Sequence, residues 1–365
     1  MSEIAFYGSS LLSAYWNGAA TYYRGMVRAL AARGHRITFY EPDVYDRQNH
    51  RDIDPPDWAR VVVYPPTMEA LQAVTGQAAQ ADIVIKASGV GFADDLLLDR
   101  LLKCRHPQAL MIFWDVDAPA TLAEITPDAA HPLRQALQRL DLVLTYGGGV
   151  AVEQAYMKLG ARRCAPIYNA LDPTTHHPVP ADPRYDGDLG FLGNRLPDRE
   201  ARVEDFLLSA AARLPQARFL LGGAGWEDKA MPANVRRIGH VPTQAHNAFN
   251  VTPRAVLNIN RASMAATGFS PPTRVFEAAG AGACLVTDEW PGIDMFLSPG
   301  TEVLVARDGR DVADILLALT PEDSAAIGER ALARVLAEHT YDRRAEQVDR
   351  LLTPLLQARR QEVFA

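Results

Sequence analysis

The chain has 365 residues, 48% hydrophobic and 22% charged, which is too long for one ordinary domain and excludes a globally disordered chain. A net charge of −7 and a pI near 5.7 give it no general attraction for nucleic acid or anionic membrane. No stretch is long and apolar enough to span a bilayer, and the start lacks a basic segment followed by an apolar run, so no signal peptide is read and a cytoplasmic location is expected.

Ile4 to Tyr7 reads as a first strand, followed by a polar loop. Tyr23, Met26, Val27 and Leu30 then recur at helical spacing on one face, and Gly34 stands where a glycine ends a helix. Further strands are expected at Ile37–Tyr40, Val61–Tyr64, Asp82–Ala87, Ala109–Trp114 and Leu142–Tyr146, with helices between most of them. Such alternation implies a parallel sheet with right-handed crossovers. A stretch rich in Pro, His and Asp from Tyr168 to about Gly187 breaks the pattern and marks a domain boundary. A second series follows: strands at Leu189–Gly193, Arg218–Leu221, Val256–Ile259, Cys284–Thr287 and Glu302–Ala306, helices at Arg199–Leu214 and Thr273–Ala281, and a helical end from about Asp311 to Gln361. The expected architecture is α/β: a Rossmann-like domain over 1–170, a second over 171–340, and a carboxyl-terminal segment, 341–365. Cys104, Cys164 and Cys284 are far apart and sit beside apolar segments, which reads as buried, inert thiols in a reducing compartment.

Ligands of open α/β sheets bind at the carboxyl ends of the strands, and two facing domains add the cleft between them. The loop after the first strand carries Trp16, Asn17 and Gly18. Small residues there expose backbone N–H groups, and Tyr15 and Trp16 offer faces for an acceptor to stack on; the same residues also make a plain turn capped by Asn17. Asp115 and Asp117 follow a buried strand directly, and if the strand continues through them alternation puts both on one side. Either could act as a general base or hold a substrate hydroxyl, while Asp117 also suits the cap of a helix starting near Pro119.

Basic residues gather after the Leu189–Gly193 strand, where Arg195 and Arg199 suit phosphate; the alternative pairs Arg199 or Arg202 with Glu200 or Glu204. Arg274 and Glu277 lie three apart near the start of an otherwise small and apolar helix. A Glu can accept both hydroxyls of a ribose while an Arg and a helix N-terminus hold a diphosphate. Gly223, in a Gly-rich loop, would approach a base or ribose, and Gly148 would face the interdomain side. His176–His177 sits in the Pro-rich linker with no third ligand, so no metal site is expected.

The run Thr273–Thr287 resembles the donor-site helix and strand of GT-B glycosyltransferases. Together with Asn17–Thr21, Phe113–Asp117, Leu189–Arg195 and Gly300–Glu302, it is more closely similar to CgeB-like glycosyltransferases, named for a spore-maturation protein. The resemblance implies the GT-B fold, two Rossmann-like domains facing across a cleft, with the last helix, about Tyr341 to Gln361, returning to the first domain. It implies that Glu277 binds the donor ribose, Arg274 and Arg199 the diphosphate, and the first domain the acceptor. It also implies that no metal cofactor is needed and that the co-substrate is a nucleotide diphosphate sugar, a UDP-sugar first. Phe269 stands eight residues before Glu277, where related retaining enzymes often carry another Glu; family likeness favours a retaining hexosyl transfer, with Arg groups absorbing charge on the leaving diphosphate. The acceptor (glycan, small molecule, protein or nucleic acid) and the oligomeric state stay open. A nucleotide-sugar epimerase and a non-catalytic nucleotide- or sugar-binding protein of envelope or spore-coat assembly remain alternatives. The loop after the first strand has no Gly-x-Gly-x-x-Gly, which argues against a dinucleotide oxidoreductase.

Overall fold

The computed structural model describes residues 1–361. They form two compact units: Met1–Tyr168 with the chain from Tyr341 onward, and Asn169–Thr340.

The first unit holds β1 (Glu3–Tyr7), β2 (Arg36–Pro42), β3 (Arg60–Tyr64), β4 (Ile83–Ala87), β5 (Leu110–Asp115), β6 (Leu142–Thr145) and β7 (Cys164–Pro166). They make a seven-stranded sheet in the order β3-β2-β1-β4-β5-β6-β7, every pairing parallel. The central strands are continuous apolar runs because helices cover both faces; Ile83, Val84, Ile85, Met111 and Ile112 are all buried. The Ala20–Ala32 helix buries the expected Tyr23, Met26, Val27 and Leu30. Against it lies the Tyr341–Gln361 helix. The Tyr341 ring covers Gly25 so closely that a Cβ there would sit 2.3 Å from it. Ion pairs fasten the same helix: Asp349 with Arg33 and His35, at 2.5 and 2.8 Å, and Arg359 with Asp141 at 2.5 Å. Residues 362–365 of the expected terminal segment lie outside the described residues.

The second unit holds β8 (Leu189–Leu192), β9 (Phe219–Gly222), β10 (Val235–Gly239), β11 (Ala255–Asn258), β12 (Leu285–Asp288) and β13 (Leu304–Ala306) in the parallel order β10-β9-β8-β11-β12-β13. That is the strand order of a dinucleotide-type Rossmann sheet. Its core gathers Phe191, Phe206, Phe219, Trp226, Leu257 and Val286. The Thr273–Ala281 helix has the expected bounds. The helical end is three helices, Gly309–Ala318, Pro321–Glu338 and Tyr341–Gln361, and the break at His339–Thr340 lets the chain leave one unit for the other.

Sequence patterning missed β7 and β10. β7 has three residues and ends in a proline, and β10 is an edge strand with exposed Arg236 and Arg237, so neither shows a buried run. It also missed the short helices His246–Val251 and Ala262–Thr267. The three cysteines are free, but only Cys284 is buried; Cys104 and Cys164 are partly exposed. Burial still pushes the Cys164 thiol up to about 12 and that of Cys284 to about 11.

Candidate active site

In the second unit the connection after β8 runs to β9 on one side of the sheet, and the connection after the neighbouring β11 runs to β12 on the other. The loops at the carboxyl ends of β8 and β11 therefore diverge and open a crevice, the place where such sheets bind ligands. A cavity of about 210 Å³ lies there, lined by Gly193, Arg199, Asn260, Arg261, Thr273 and Arg274, among others.

Arg199 is held by a helix that starts at Pro197, a residue whose fixed φ suits a first helical turn. Among the described residues its side chain has no ion pair, and its buried Nε has no partner. Burial depresses the pKa of this guanidinium, and the nearby charge of Arg274 adds to the effect. Arg274 sits in the first turn of the Thr273–Ala281 helix, where unsatisfied backbone N–H groups carry partial positive charge. Its pKa is also depressed by burial, with Glu277 opposing, and its only direct partner among the described residues is the Asn250 Oδ1 at 3.4 Å. Arg261 completes the group, ion-paired with Asp198 at 2.6 Å. Two guanidiniums repelling each other beside a helix N-terminus, with no carboxylate bound to either among the described residues, offer chemistry suited to an anion. Glu277, one turn further along, is half-buried and makes no hydrogen bond or ion pair among the described residues. The pairing of Arg274 with Glu277 on an exposed face is thus not what forms.

The basic cluster after β8 divides its charges. Arg195 binds Glu200 at 2.6 Å, Asp228 at 2.8 Å and the Gly225 carbonyl at 3.3 Å, and it does not line the cavity. Arg195, and then Lys229, draw the Glu200 carboxyl down to about 2. Arg202 pairs with the buried Asp288 at 2.6 Å. Only Arg199 is left facing the cavity. Gly223 has φ +113°, and a Cβ there would lie 2.3 Å from the Gly193 carbonyl oxygen. The loops after β8 and β9 clasp at this point, Arg195 donating its backbone N–H to the Ala224 carbonyl at 2.9 Å and Ala224 donating its own to Asn194 Oδ1 at 3.0 Å. Gly223 thus shapes the wall from which Gly193 and Arg199 face the cavity.

Asn260 was not singled out in the sequence; the only signal was its place directly after a buried strand. Its backbone N–H donates to Asp288 at 3.1 Å. Asp288 also binds Arg202 and the Thr287 hydroxyl, and burial raises its pKa. His176, expected in an open linker, is 8% exposed, with its Nδ1 3.0 Å from the Thr175 hydroxyl. Among the described residues no three His, Cys, Asp or Glu side chains converge as a metal site.

In the first unit Asp115 and Asp117 do not share a side. β5 ends at Asp115, which is fully buried, while Asp117 is exposed. The Asp115 carboxylate accepts from the Tyr156 hydroxyl at 2.5 Å, the Thr121 hydroxyl at 2.9 Å and the Asp117 N–H at 3.0 Å. Asp117 precedes the Ala118–Ile125 helix but makes no side-chain cap bond, so its carboxylate is the one open to a substrate. Asn17 is buried: it donates to the Ser10 and Ser13 carbonyls at 2.9 and 3.1 Å and accepts from the Ser9 hydroxyl at 2.9 Å, pinning the loop rather than capping the helix. Trp16 beside it is 82% exposed at φ +47°, and Gly18 is exposed with open space around it. Gly148 is buried at φ +93° under the Val152 side chain and leads into the Gly149–Lys158 helix.

Residues 199–350, under half the chain, match a family model described as glycosyl transferase-like. Solved structures similar over nearly the whole chain include sucrose-phosphate synthase from Thermosynechococcus elongatus: 15% identity, 98% of this chain and 100% of that one, TM-score 0.68. The fold is GT-B. Anabaena HepE in complex with UDP-glucose is similar at 14% identity, over 97% of this chain and 100% of that one, TM-score 0.67. AviGT4, a glycosyltransferase involved in avilamycin A biosynthesis, is similar at 17% identity, over 98% and 99%, TM-score 0.61. No curated protein matches the sequence. In this GT-B chain the cavity with Arg199 and Arg274 lies in the carboxyl-terminal Rossmann unit, within the stretch that the family model covers.

Proposed function

We propose that this protein is a cytoplasmic glycosyltransferase of the CgeB-like type, moving a hexosyl group from a nucleotide diphosphate sugar to an acceptor. The observation that carries the reading is the pair of guanidiniums, Arg199 and Arg274, that have no ion pair among the described residues, at the switch point of the second sheet, with Glu277 one helical turn on. The arginines and the helix N-terminus hold the donor diphosphate and take up its charge as it leaves, the work a metal ion does elsewhere. Glu277 accepts the ribose hydroxyls. A UDP-sugar is the favoured donor, in line with the UDP-glucose complex of a structural neighbour. The first unit binds the acceptor through Trp16 and Gly18, with Gly148 shaping the adjoining loop. Transfer with retention uses the donor phosphate in place of a protein base; an inverting course would instead draw on Asp117 as base, with Asp115 ordering the loop that carries it. Free cysteines fit a reducing compartment.

A thermal-shift panel of UDP, GDP, ADP, CMP and NAD tests this. Ligand at about a hundred times its dissociation constant stabilises the folded state by about 2.7 kcal/mol. A selective rise with one nucleoside diphosphate, lost in Glu277→Ala, is expected; an equal rise in that variant removes the ribose role, and a rise with NAD alone removes the transferase reading.

A further inference from the structure

Asn260 is 2% exposed, and among the described residues neither its Nδ2 nor its Oδ1 has a hydrogen-bond partner. A buried amide left without partners costs free energy that the fold has no reason to bear unless something else satisfies it. The side chain does not hang loosely in its loop. The Asn260 N–H is anchored on Asp288, a fully buried carboxylate that is itself fixed by Arg202 at 2.6 Å and by the Thr287 hydroxyl at 3.2 Å. Thr287 in turn accepts from Asn258 at 3.0 Å and from the Trp290 indole at 3.3 Å. The polar network thus ends at Asn260, on the lining of the cavity that holds Arg199 and Arg274.

The chemistry of the orphaned group limits what satisfies it. A phosphate oxygen only accepts, so it can serve Nδ2 and leaves Oδ1 bare. A hydroxyl both donates and accepts, and a pair of neighbouring hydroxyls serves both amide atoms at once. Resting on the donor reading above, the diphosphate is taken by the arginines and the ribose by Glu277, which is not among the cavity-lining residues. The hydroxyl-bearing part left to this cavity is the transferred sugar. We infer that Asn260 is a specificity-determining residue, its carboxamide reading the hydroxyls of the donor sugar. A site that hydrogen-bonds a hydroxyl discriminates strongly against analogues lacking it, because the buried polar group is then left unpaired.

The experiment is isothermal titration of the full chain with UDP and with UDP-glucose, or with the corresponding pair for whichever base the thermal-shift panel selects. Asn260→Ala is expected to raise the dissociation constant of the nucleotide sugar about tenfold, about 1.4 kcal/mol, and to leave that of the nucleoside diphosphate within about twofold. Its melting temperature without ligand should not fall, since no intramolecular hydrogen bond is lost. Asn260→Ser, which keeps a group able to donate and accept in a smaller side chain, should retain part of the sugar-dependent affinity. Unchanged affinity for both ligands in Asn260→Ala overturns the inference, as does an equal loss for both or a ligand-free melting temperature several degrees lower. A wild-type chain that binds no nucleoside diphosphate brings down the donor reading itself, a failure seen before any variant is made.

Discussion

Replacing Asp115 separates a catalytic from an architectural carboxylate. In Asp115→Ala the Tyr156 hydroxyl, the Thr121 hydroxyl and the Asp117 N–H all lose their acceptor. A buried donor left unpaired costs about 1–3 kcal/mol; with Tyr156 buried and the other two only partly so, the sum is about 3 kcal/mol. For a unit of this size that corresponds to a fall in Tm of about 6–12 °C. Asp115→Asn should behave differently: Oδ1 still accepts from Thr121 and Asp117, while the Tyr156 hydroxyl rotates to accept from the new amide, so its Tm should stay within about 3 °C of wild type. The pH dependence adds a second reading. Burial raises the Asp115 pKa, so the folded state holds this proton more tightly than the unfolded chain. The contribution is full at low pH and is lost as pH rises from about 4 through the folded value. Asp115→Asn should flatten that decline. The assay is thermal unfolding by circular dichroism at pH 5 and pH 8, with donor turnover measured alongside. A wild-type Tm in Asp115→Ala refutes the reasoning. A well-folded Asp115→Asn that has lost turnover a hundredfold refutes it from the other side, by restoring the base.

Arg199→Met should leave the ligand-free Tm unchanged or raised, because the guanidinium is desolvated, unpaired and repelled by Arg274; titration should show nucleoside diphosphate binding at least about tenfold weaker. Gly223→Ala should cost at least about 2 kcal/mol, since the backbone conformation disfavours a side chain and the new Cβ meets the Gly193 carbonyl; chemical denaturation measures it, and the same variant should lose nucleotide binding. The His246 pKa is lowered by burial, with Glu277 pulling the other way. Its contribution is therefore complete above about 6.5 and is lost as pH falls through the folded value, so urea midpoints between pH 7 and pH 5 should decline in the wild type and decline less in His246→Gln.

Most of the fold could be read from the chain because its strands are continuous apolar runs and its helices carry one apolar stripe. Thr273–Ala281 came out with its own bounds because proline marks one end and Gly282, at φ +82°, the other. β10 could not be read this way: an edge strand with two exposed arginines buries too little to leave a pattern. The candidate site was legible in a similar, partial way. Arg199 and Arg274 were visible because a charge on a small, apolar helix or at a helix start is unusual. That Arg195 would turn to Glu200 and Asp228 was not visible, because Asp228 lies on a different loop. Asp115 looked like a base for a related reason: its saturating partner, Tyr156, comes from a helix 41 residues further on.

The same long-range logic explains why the two sets of charges behave differently. Asp115, Asp288 and Arg202 are each met by partners within the protein, so removing one partner strands a buried group and costs stability. Arg199, Arg274 and Asn260 are partly or fully unmet, and all three border one cavity at the carboxyl end of one sheet. Folding alone gains nothing from burying positive charge next to positive charge, or from hiding an amide with no partner. Such groups persist where a ligand completes them, and on the proposed donor reading the ligand that completes this set carries two negative charges beside a hydroxylated ring. A nucleotide diphosphate sugar has that form, which is why substitutions at these positions should affect binding first and stability little, whereas those at Asp115 should do the reverse.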